Sequence, residues 1–185
     1  MKKHVFLTGF MGAGKSRIGR ALAAEWNWPF YDTDALIERE TGRTIMQLFE
    51  EKGESFFRQK EAQIIGRISA EAYPAVISLG GGALMQKQNF KIIGESGLLI
   101  YIKSAPEKIL ERVKHSDKRP LLKVEKDASF NNRLLNKIIK MLEQREPVYA
   151  RADVVYLRDG LEPEQIVPEL SGLIRQKWEE ENEND

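Results

Sequence analysis

The chain has 185 residues, 42% of them hydrophobic and 31% charged, which supplies one well-buried core and excludes a disordered or fibrous polypeptide. With 29 Lys and Arg against 28 Asp and Glu the net charge is +1, so charge gives no support for a nucleic-acid partner, and the lack of cysteine removes disulfides, thiolate metal sites and cysteine nucleophiles together. A cytoplasmic address and a monomer are the expectations, and no membrane is expected as a partner, since no apolar run approaches ~18 residues and Met1-Lys2-Lys3-His4 does not open a signal peptide.

Val5-Phe6-Leu7, ended by Thr8-Gly9, has the form of a short buried strand, and apolar residues recur at helical spacing from Arg17 to Trp26. Between them, Gly9-Phe10-Met11-Gly12-Ala13-Gly14-Lys15-Ser16 fits the phosphate-loop pattern G-x-x-x-x-G-K-[ST]. A strand before the loop and a helix after it aim consecutive backbone N–H groups and a helix N-terminus at one anion. Gly12, Ala13, Gly14, Lys15, Ser16 and Arg17 are therefore expected around the phosphates of ATP, with Lys15 at the β- and γ-phosphates and the Ser16 hydroxyl in the shell of Mg2+. Neither N-K-x-D nor D-x-x-G occurs, which argues against a regulatory GTPase.

Pro29-Phe30-Tyr31-Asp32 reads as the second strand, and Asp32-Thr33-Asp34 sets two carboxylates at its end, on the edge that carries the phosphate loop. One can face Mg2+ and the other an acceptor hydroxyl, although Asp34 also stands where a helix cap would, before Ala35-Leu36-Ile37-Glu38. Ile37, Ile45, Leu48 and Phe49 lie on helical stretches broken at Gly42, and Phe56 to Ala70 is a further helix. On that helix Arg58 and Glu61 are an i,i+3 pair in which Glu61 can hold the guanidinium fork toward a carboxylate. Pro74 to Leu79 is a buried strand running into Gly80-Gly81-Gly82 without the terminal acid that a motor or helicase ATPase carries.

Gly97 to Ile102 and Asp153 to Leu157 complete five strands, and Pro106 to Val113 is helical. Short apolar strands alternating with helices predict an α/β three-layer fold with a parallel sheet, its ligands at the carboxyl ends of the strands. Lys114 to Ser129 lacks apolar periodicity and reads as a lid; residues 103–126 carry a local charge of +4. Five acids crowd residues 179–185, expected to be a solvated, disordered tail, and leave residues 1–178 at +6. His4 and His115 read as surface residues with no metal-ligand spacing.

The motifs taken in order, D-T-D at 32–34, G-E-x-x-F-R-x-x-E from Gly53 to Glu61, the Gly80 to Gly82 loop, R-P-L-L at Arg119 to Leu122 and R-x-P-x-Y at Arg145 to Tyr149, resemble the signature of the shikimate kinase family across residues 4–170. The resemblance implies phosphorylation of the 3-hydroxyl of shikimate by ATP with Mg2+, on the way to chorismate and the aromatic amino acids. It implies the nucleoside monophosphate kinase fold, with a core, a substrate-binding region and a mobile lid. It places Asp34, Arg58, Gly80, Gly81, Gly82 and Arg145 on shikimate, and Lys15, Ser16 and Asp32 on the phosphates and Mg2+. Arg119 falls on the lid arginine that reaches the transferring phosphates, and Arg112 on the arginine that stacks on adenine. One residue fewer than usual separates Tyr149 from Ala152-Asp153, so no adenine-loop residue is assigned over 151–160.

The chemistry of the implied substrate agrees with that assignment. One carboxylate and three hydroxyls call for a cationic fork at one end of the site, from Arg58 and Arg145, and an oriented acceptor at the other, from Asp34. Phe49 and Phe57 are candidates to wall the ring, and Glu61 to orient the fork. A gluconate kinase would share the phosphate loop without a reason to carry the other motifs together.

Overall fold

The computed structural model describes residues 2–116, 120–125 and 127–182. Its strands are β1 (His4–Thr8), β2 (Phe30–Asp32), β3 (Val76–Ser78), β4 (Gly97–Lys103) and β5 (Val154–Leu157). The helices are α1 (Lys15–Trp26), α2 (Thr33–Thr41), α3 (Ile45–Ser69), α4 (Lys87–Ser96), α5 (Pro106–Val113), α6 (Phe130–Tyr149) and α7 (Pro163–Asn182). All strand pairs are parallel, in the order β2-β3-β1-β4-β5. This is the expected five-stranded α/β sheet.

Alternation along the strands sorts the core into two faces. Val5 and Leu7 share one face with Val76, Leu98, Ile100 and Ile102, against Ile18 and Leu22 of α1 and Ile166, Leu170 and Ile174 of α7. Phe6, Ile77, Leu99 and Tyr101 share the other, against Ile64, Ile65 and Ile68 of α3 and Ile93 of α4. Each fully buried Ile or Leu contributes about 1.5–3 kcal/mol, so these faces hold the three layers together. A separate cluster joins Phe10 and Met11 of the phosphate loop to Ile109 and Val113 of α5, Leu122, and Leu134, Ile138 and Leu142 of α6.

Register positions the functional loops. Leu7 of β1 and Asp32 of β2 both pair with Ser78 of β3, so the loops leaving these three strands emerge side by side. The Leu79 N–H donates to the Leu7 carbonyl at 3.0 Å and prolongs that alignment to the edge of the glycine run. The phosphate loop, the D-T-D segment and Gly80 to Gly82 thereby share one rim.

Several expectations change. The two helical stretches expected around residues 45–49 and 56–70 are one element, α3, bent at Gly53, whose φ of 78° and ψ of 169° interrupt the helix. Glu179, Glu180 and Glu181 are not disordered: α7 runs through them to Asn182, and Glu181 accepts from Lys2 Nζ at 2.7 Å, while residues 183–185 lie outside the described residues. His4 is fully buried rather than on the surface, because β1 is the central strand, and burial together with Lys3 lowers its pKa. Within the irregular stretch, Pro120 to Leu122 form a single 3-10 turn. No helix among the described residues is long and apolar enough to cross a membrane.

Candidate active site

The phosphate loop is braced from several sides. Gly14 has φ of 92°, a conformation that a side chain resists, and it caps α1 so that the free N–H groups of the first turn face the loop's interior. Lys15 is 8% exposed, and its Nζ donates to the carbonyls of Gly9 at 3.0 Å and Phe10 at 3.1 Å. Those bonds hold the ammonium inside the loop. Ser16 Oγ donates to Asp32 Oδ2 at 2.5 Å and lies 3.3 Å from Ser78 Oγ. The hydroxyl and carboxylate form a hard-oxygen pair on the phosphate side, the donor chemistry that Mg2+ takes from protein while drawing its other ligands from phosphate and water.

The two aspartates divide differently from a simple cap reading. Asp32 is the N-cap of α2, its Oδ1 accepting from the Ala35 N–H at 3.2 Å. Asp34 lies in the first turn of α2, so its carboxylate is not spent on the cap. It lines two adjoining clefts. One, about 800 Å³ including its open mouth, is bounded by Lys15, Ser16, Arg20, Asp32 and Ser78. The other, about 420 Å³ on the same measure, is bounded by Phe49, Phe57, Arg58, Glu61 and Gly80 to Gly82, with Pro120 and Leu121 over it. Met11, Asp34, Ile45 and Gly81 belong to both.

The second cleft is lined on one side by an ion-pair network. Arg58 Nη1 donates to Glu61 Oε2 at 2.8 Å, and its Nε and Nη2 donate to Glu54 Oε1 at 3.2 and 3.0 Å. Burial alone would lower the guanidinium's pKa, but the two carboxylates hold it above its ordinary value. Glu61 is completely buried, and that burial pushes its pKa up to about 7 against the pull of Arg58, with Asp34 adding to the rise. The Arg58 Cζ stands 5.0 Å from the centre of the Phe57 ring, which itself packs 5.1 Å from Phe49. Both phenylalanines line the cleft, Phe57 buried and Phe49 half-buried.

The glycine run is a close-approach device. A side chain at Gly80 would collide with Glu61 Oε1 and come within 2.8 Å of Asp34 Oδ1, and one at Gly82 would collide with the Arg58 guanidinium. Arg145 and Tyr149, one helical turn apart on α6, both donate to the Gly81 carbonyl, Arg145 Nη1 at 3.1 Å. Arg145 is thereby held at the glycine loop through the Gly81 carbonyl, close enough to Glu61 to favour its ionised form. Its guanidinium also lies 5.6 Å from the centre of the Phe10 ring.

Beyond the phosphate loop, Arg112 Nη1 donates to Ser104 Oγ at 2.9 Å and to the Gly12 carbonyl at 3.4 Å, and Nη2 pairs with Asp159 at 3.5 Å. Arg158 is the residue that the sequence reading missed. Buried at 8% exposure, it donates through Nη2 to the Leu161 carbonyl at 2.8 Å and through Nη1 to the Ala13 carbonyl at 3.5 Å. Burial, with Arg112 adding repulsion, lowers its pKa. Its one sequence signal is its position: Arg158-Asp159-Gly160 follows β5 directly, on the ligand edge of the sheet.

Against this geometry, the family model for shikimate kinase matches residues 11–175. The chain belongs to the shikimate kinase family. It is 39% identical over 173 residues to the shikimate kinase of Persephonella marina, covering 94% of this chain and 99% of the relative. It is 40% identical over 171 residues to that of Chlorobium chlorochromatii, covering 92% and 90%. The solved shikimate kinase from Acinetobacter baumannii in complex with shikimate superposes with a TM-score of 0.87 at 30% identity, covering 95% of this chain and 94% of that one. As a shikimate kinase the protein is a phosphotransferase that uses ATP and Mg2+ to phosphorylate shikimate, in the synthesis of aromatic amino acids.

Among the described residues, most of those expected at the site come together at one rim, but Arg17, expected at the phosphates, does not. Arg17 is exposed, pairs with Glu162 at 2.9 Å and lines neither cleft. Its side chain leaves α1 on the solvent side. Arg119 lies outside the described residues.

Proposed function

We propose that the chain transfers the γ-phosphoryl group of ATP to the 3-hydroxyl of shikimate with its residues divided between the two clefts. The observation that carries this reading is the shared wall: Asp34 and Gly81 belong to both the phosphate cleft and the acceptor cleft, so an acceptor oxygen beside Asp34 faces a phosphoryl group above Lys15. Phosphoryl transfer passes through a loose transition state, which leaves the protein mainly positioning and charge stabilisation to supply. Lys15, drawn from the carbonyls of Gly9 and Phe10, neutralises the transferring phosphate. The backbone N–H groups from Gly12 to Ser16 cradle the anion, with Arg112 at the outer end of the nucleotide.

Ser16 and Asp32 would hold Mg2+, which would supply positive charge against the phosphates. Asp34 accepts the hydrogen bond of the acceptor hydroxyl and takes its proton late in the transfer. Arg58 binds the substrate carboxylate, Glu61 orients Arg58, and Phe49 and Phe57 enclose the ring. Gly80 to Gly82 leave room for the ring against backbone, and Arg145, bonded to the Gly81 carbonyl, is the second arginine for the substrate carboxylate. The lid arginine role of Arg119 rests on the R-P-L-L motif alone. We further propose a cytoplasmic monomer that works without nucleic acid or membrane, consistent with the balanced charge and the absence of cysteine; light scattering after gel filtration tests the monomer.

The test of the acceptor reading is ADP formation with shikimate, shikimate methyl ester and gluconate. Shikimate is expected to exceed both by about a hundredfold or more in kcat/KM, because an uncharged analogue leaves the Arg58 fork desolvated without its partner. Ester turnover within about tenfold of shikimate, a gap of only ~1.4 kcal/mol, would overturn the carboxylate clamp, and a preference for gluconate would overturn the substrate.

A further inference from the structure

Glu61 is the least solvated charge-bearing group of the acceptor cleft, and its two oxygens have unequal surroundings. Oε2 accepts from Arg58 Nη1 at 2.8 Å, whereas Oε1 is buried and has no hydrogen-bond partner. Oε1 borders the space left by the missing side chain of Gly80, and Asp34 Oδ1 borders the same space from α2. An ionised Glu61 would set two carboxylate oxygens on that one small volume, one of them with nothing donating to it. A buried acceptor in that condition costs free energy, and a second negative charge beside it raises the cost.

We propose that Glu61 works as a neutral carboxylic acid when the cleft is filled, its Oε1–H donating into the space above Gly80 to the substrate oxygen that Asp34 holds there. Glu61 is then a positioning residue with two tasks. Oε2 still accepts from Arg58, because a protonated carboxyl keeps one carbonyl oxygen for that bond. Oε1–H supplies a donor at this point.

The groups facing Glu61 decide the direction of the linkage. From its own helix Arg58 attracts the ionised form, and Glu54 competes with it for Arg58; from α2 Asp34 opposes ionisation; from α6 Arg145 favours it, while Tyr149 donates to Gly81 and faces the same loop. The glycine loop brings no charge. A substrate carboxylate arriving at Arg58 draws that cation away from Glu61 and adds another negative charge. Substrate binding therefore takes up one proton from solvent, which stays on Glu61 while the acceptor hydroxyl's own proton passes to Asp34. The raised pKa of about 7 in the free chain fits this picture, since Glu61 is ionised above that pH only until substrate arrives.

This proposal rests on reading the cleft as the shikimate site. Calorimetry of shikimate binding to the full chain, run at about pH 6 and about pH 8 in buffers of different ionisation enthalpy, measures the protons exchanged. The wild type is expected to take up almost none at the lower pH and most of one proton per site at the higher. Its affinity for shikimate falls above neutrality by up to about tenfold per pH unit. Glu61→Gln, which keeps both an acceptor for Arg58 and a donor toward Gly80, is expected to bind within about threefold of wild type at the lower pH, with no proton uptake and a flat profile. Absence of pH-dependent uptake in the wild type overturns the proposal without any variant, as does uptake that persists in Glu61→Gln. A folded Glu61→Gln that loses more than about tenfold in affinity at the lower pH also overturns it, since the ionised form would then be the working one. If shikimate fails to bind at either pH, the reading of the cleft falls first and the proposal with it.

Discussion

The phosphate cleft and the acceptor cleft meet at Asp34 but are built in opposite ways. The first is made mostly of one contiguous segment, Gly9 to Ser16, whose backbone and single cation do the binding, with Asp32 brought in by the pairing of β2 and β3. The second is assembled from α2, α3 and the loop after β3, with α6 bonded to that loop, so its polar groups come from several elements. A contiguous site depends on local backbone geometry, whereas an assembled one depends on fit between elements. Substitutions should therefore behave differently on the two sides.

Lys15→Ala is expected to have the largest effect, a loss of roughly a thousandfold or more in kcat, because no other phosphate-loop side chain supplies a cation to the transferring group. Retained folding, measured by circular dichroism, and activity within tenfold of wild type would remove the loop from the mechanism. Asp34→Asn comes next, with about a hundredfold or more lost in kcat and ATP binding preserved, since the amide keeps the shape but cannot take the proton. Asp32→Asn is expected to raise the Mg2+ concentration needed for activity. Interchangeable profiles for the two variants would end the division of labour between them.

On the acceptor side, Gly82→Ala puts a methyl group against the Arg58 guanidinium. The shikimate KM should rise by about tenfold or more while the KM for ATP stays within twofold, and a matching rise in both would mean that the two clefts are not separable. Arg158→Met should be the mildest. It removes the cation that braces the Ala13 carbonyl, and the expected result is a several-fold rise in the KM for ATP with little change in kcat or in the shikimate KM. An unchanged KM for ATP would leave Arg158 a structural residue of the β5 edge.

The same contrast explains which parts of the molecule were legible in advance. The phosphate loop, the five strands and the Arg58-Glu61 pair depend on spacings of a few residues, so strand-loop-helix order and the i,i+3 rule were enough to find them. The family motifs also drew attention to Gly80 to Gly82, but not to the reason for three glycines. For Gly80 and Gly82 that reason is the approach of Glu61, Asp34 and Arg58 from two other elements, and for Gly81 it is the nearness of the phosphate-loop backbone at Gly9 and Met11. Arg58's partner Glu54 was likewise hidden, since the bend at Gly53 sets where α3 resumes.

Tertiary packing alone decided the rest. Asp32 rather than Asp34 caps α2 because the helix starts two residues earlier than its apolar pattern suggests, and that shift sets Asp34 in the first turn, on the shared wall. Arg145 and Tyr149 both reach the Gly81 carbonyl because α6 sets them on one face, next to the loop. Burial assigned the remaining roles. His4 is interior because its strand is central, Arg158 because β5 ends against the phosphate loop, and Glu61 because α3 packs across the sheet beside Gly80. Local sequence determines which hydrogen bonds a segment can make with itself; solvation of a charged side chain is set by whatever the rest of the chain lays over it, and no spacing rule records that.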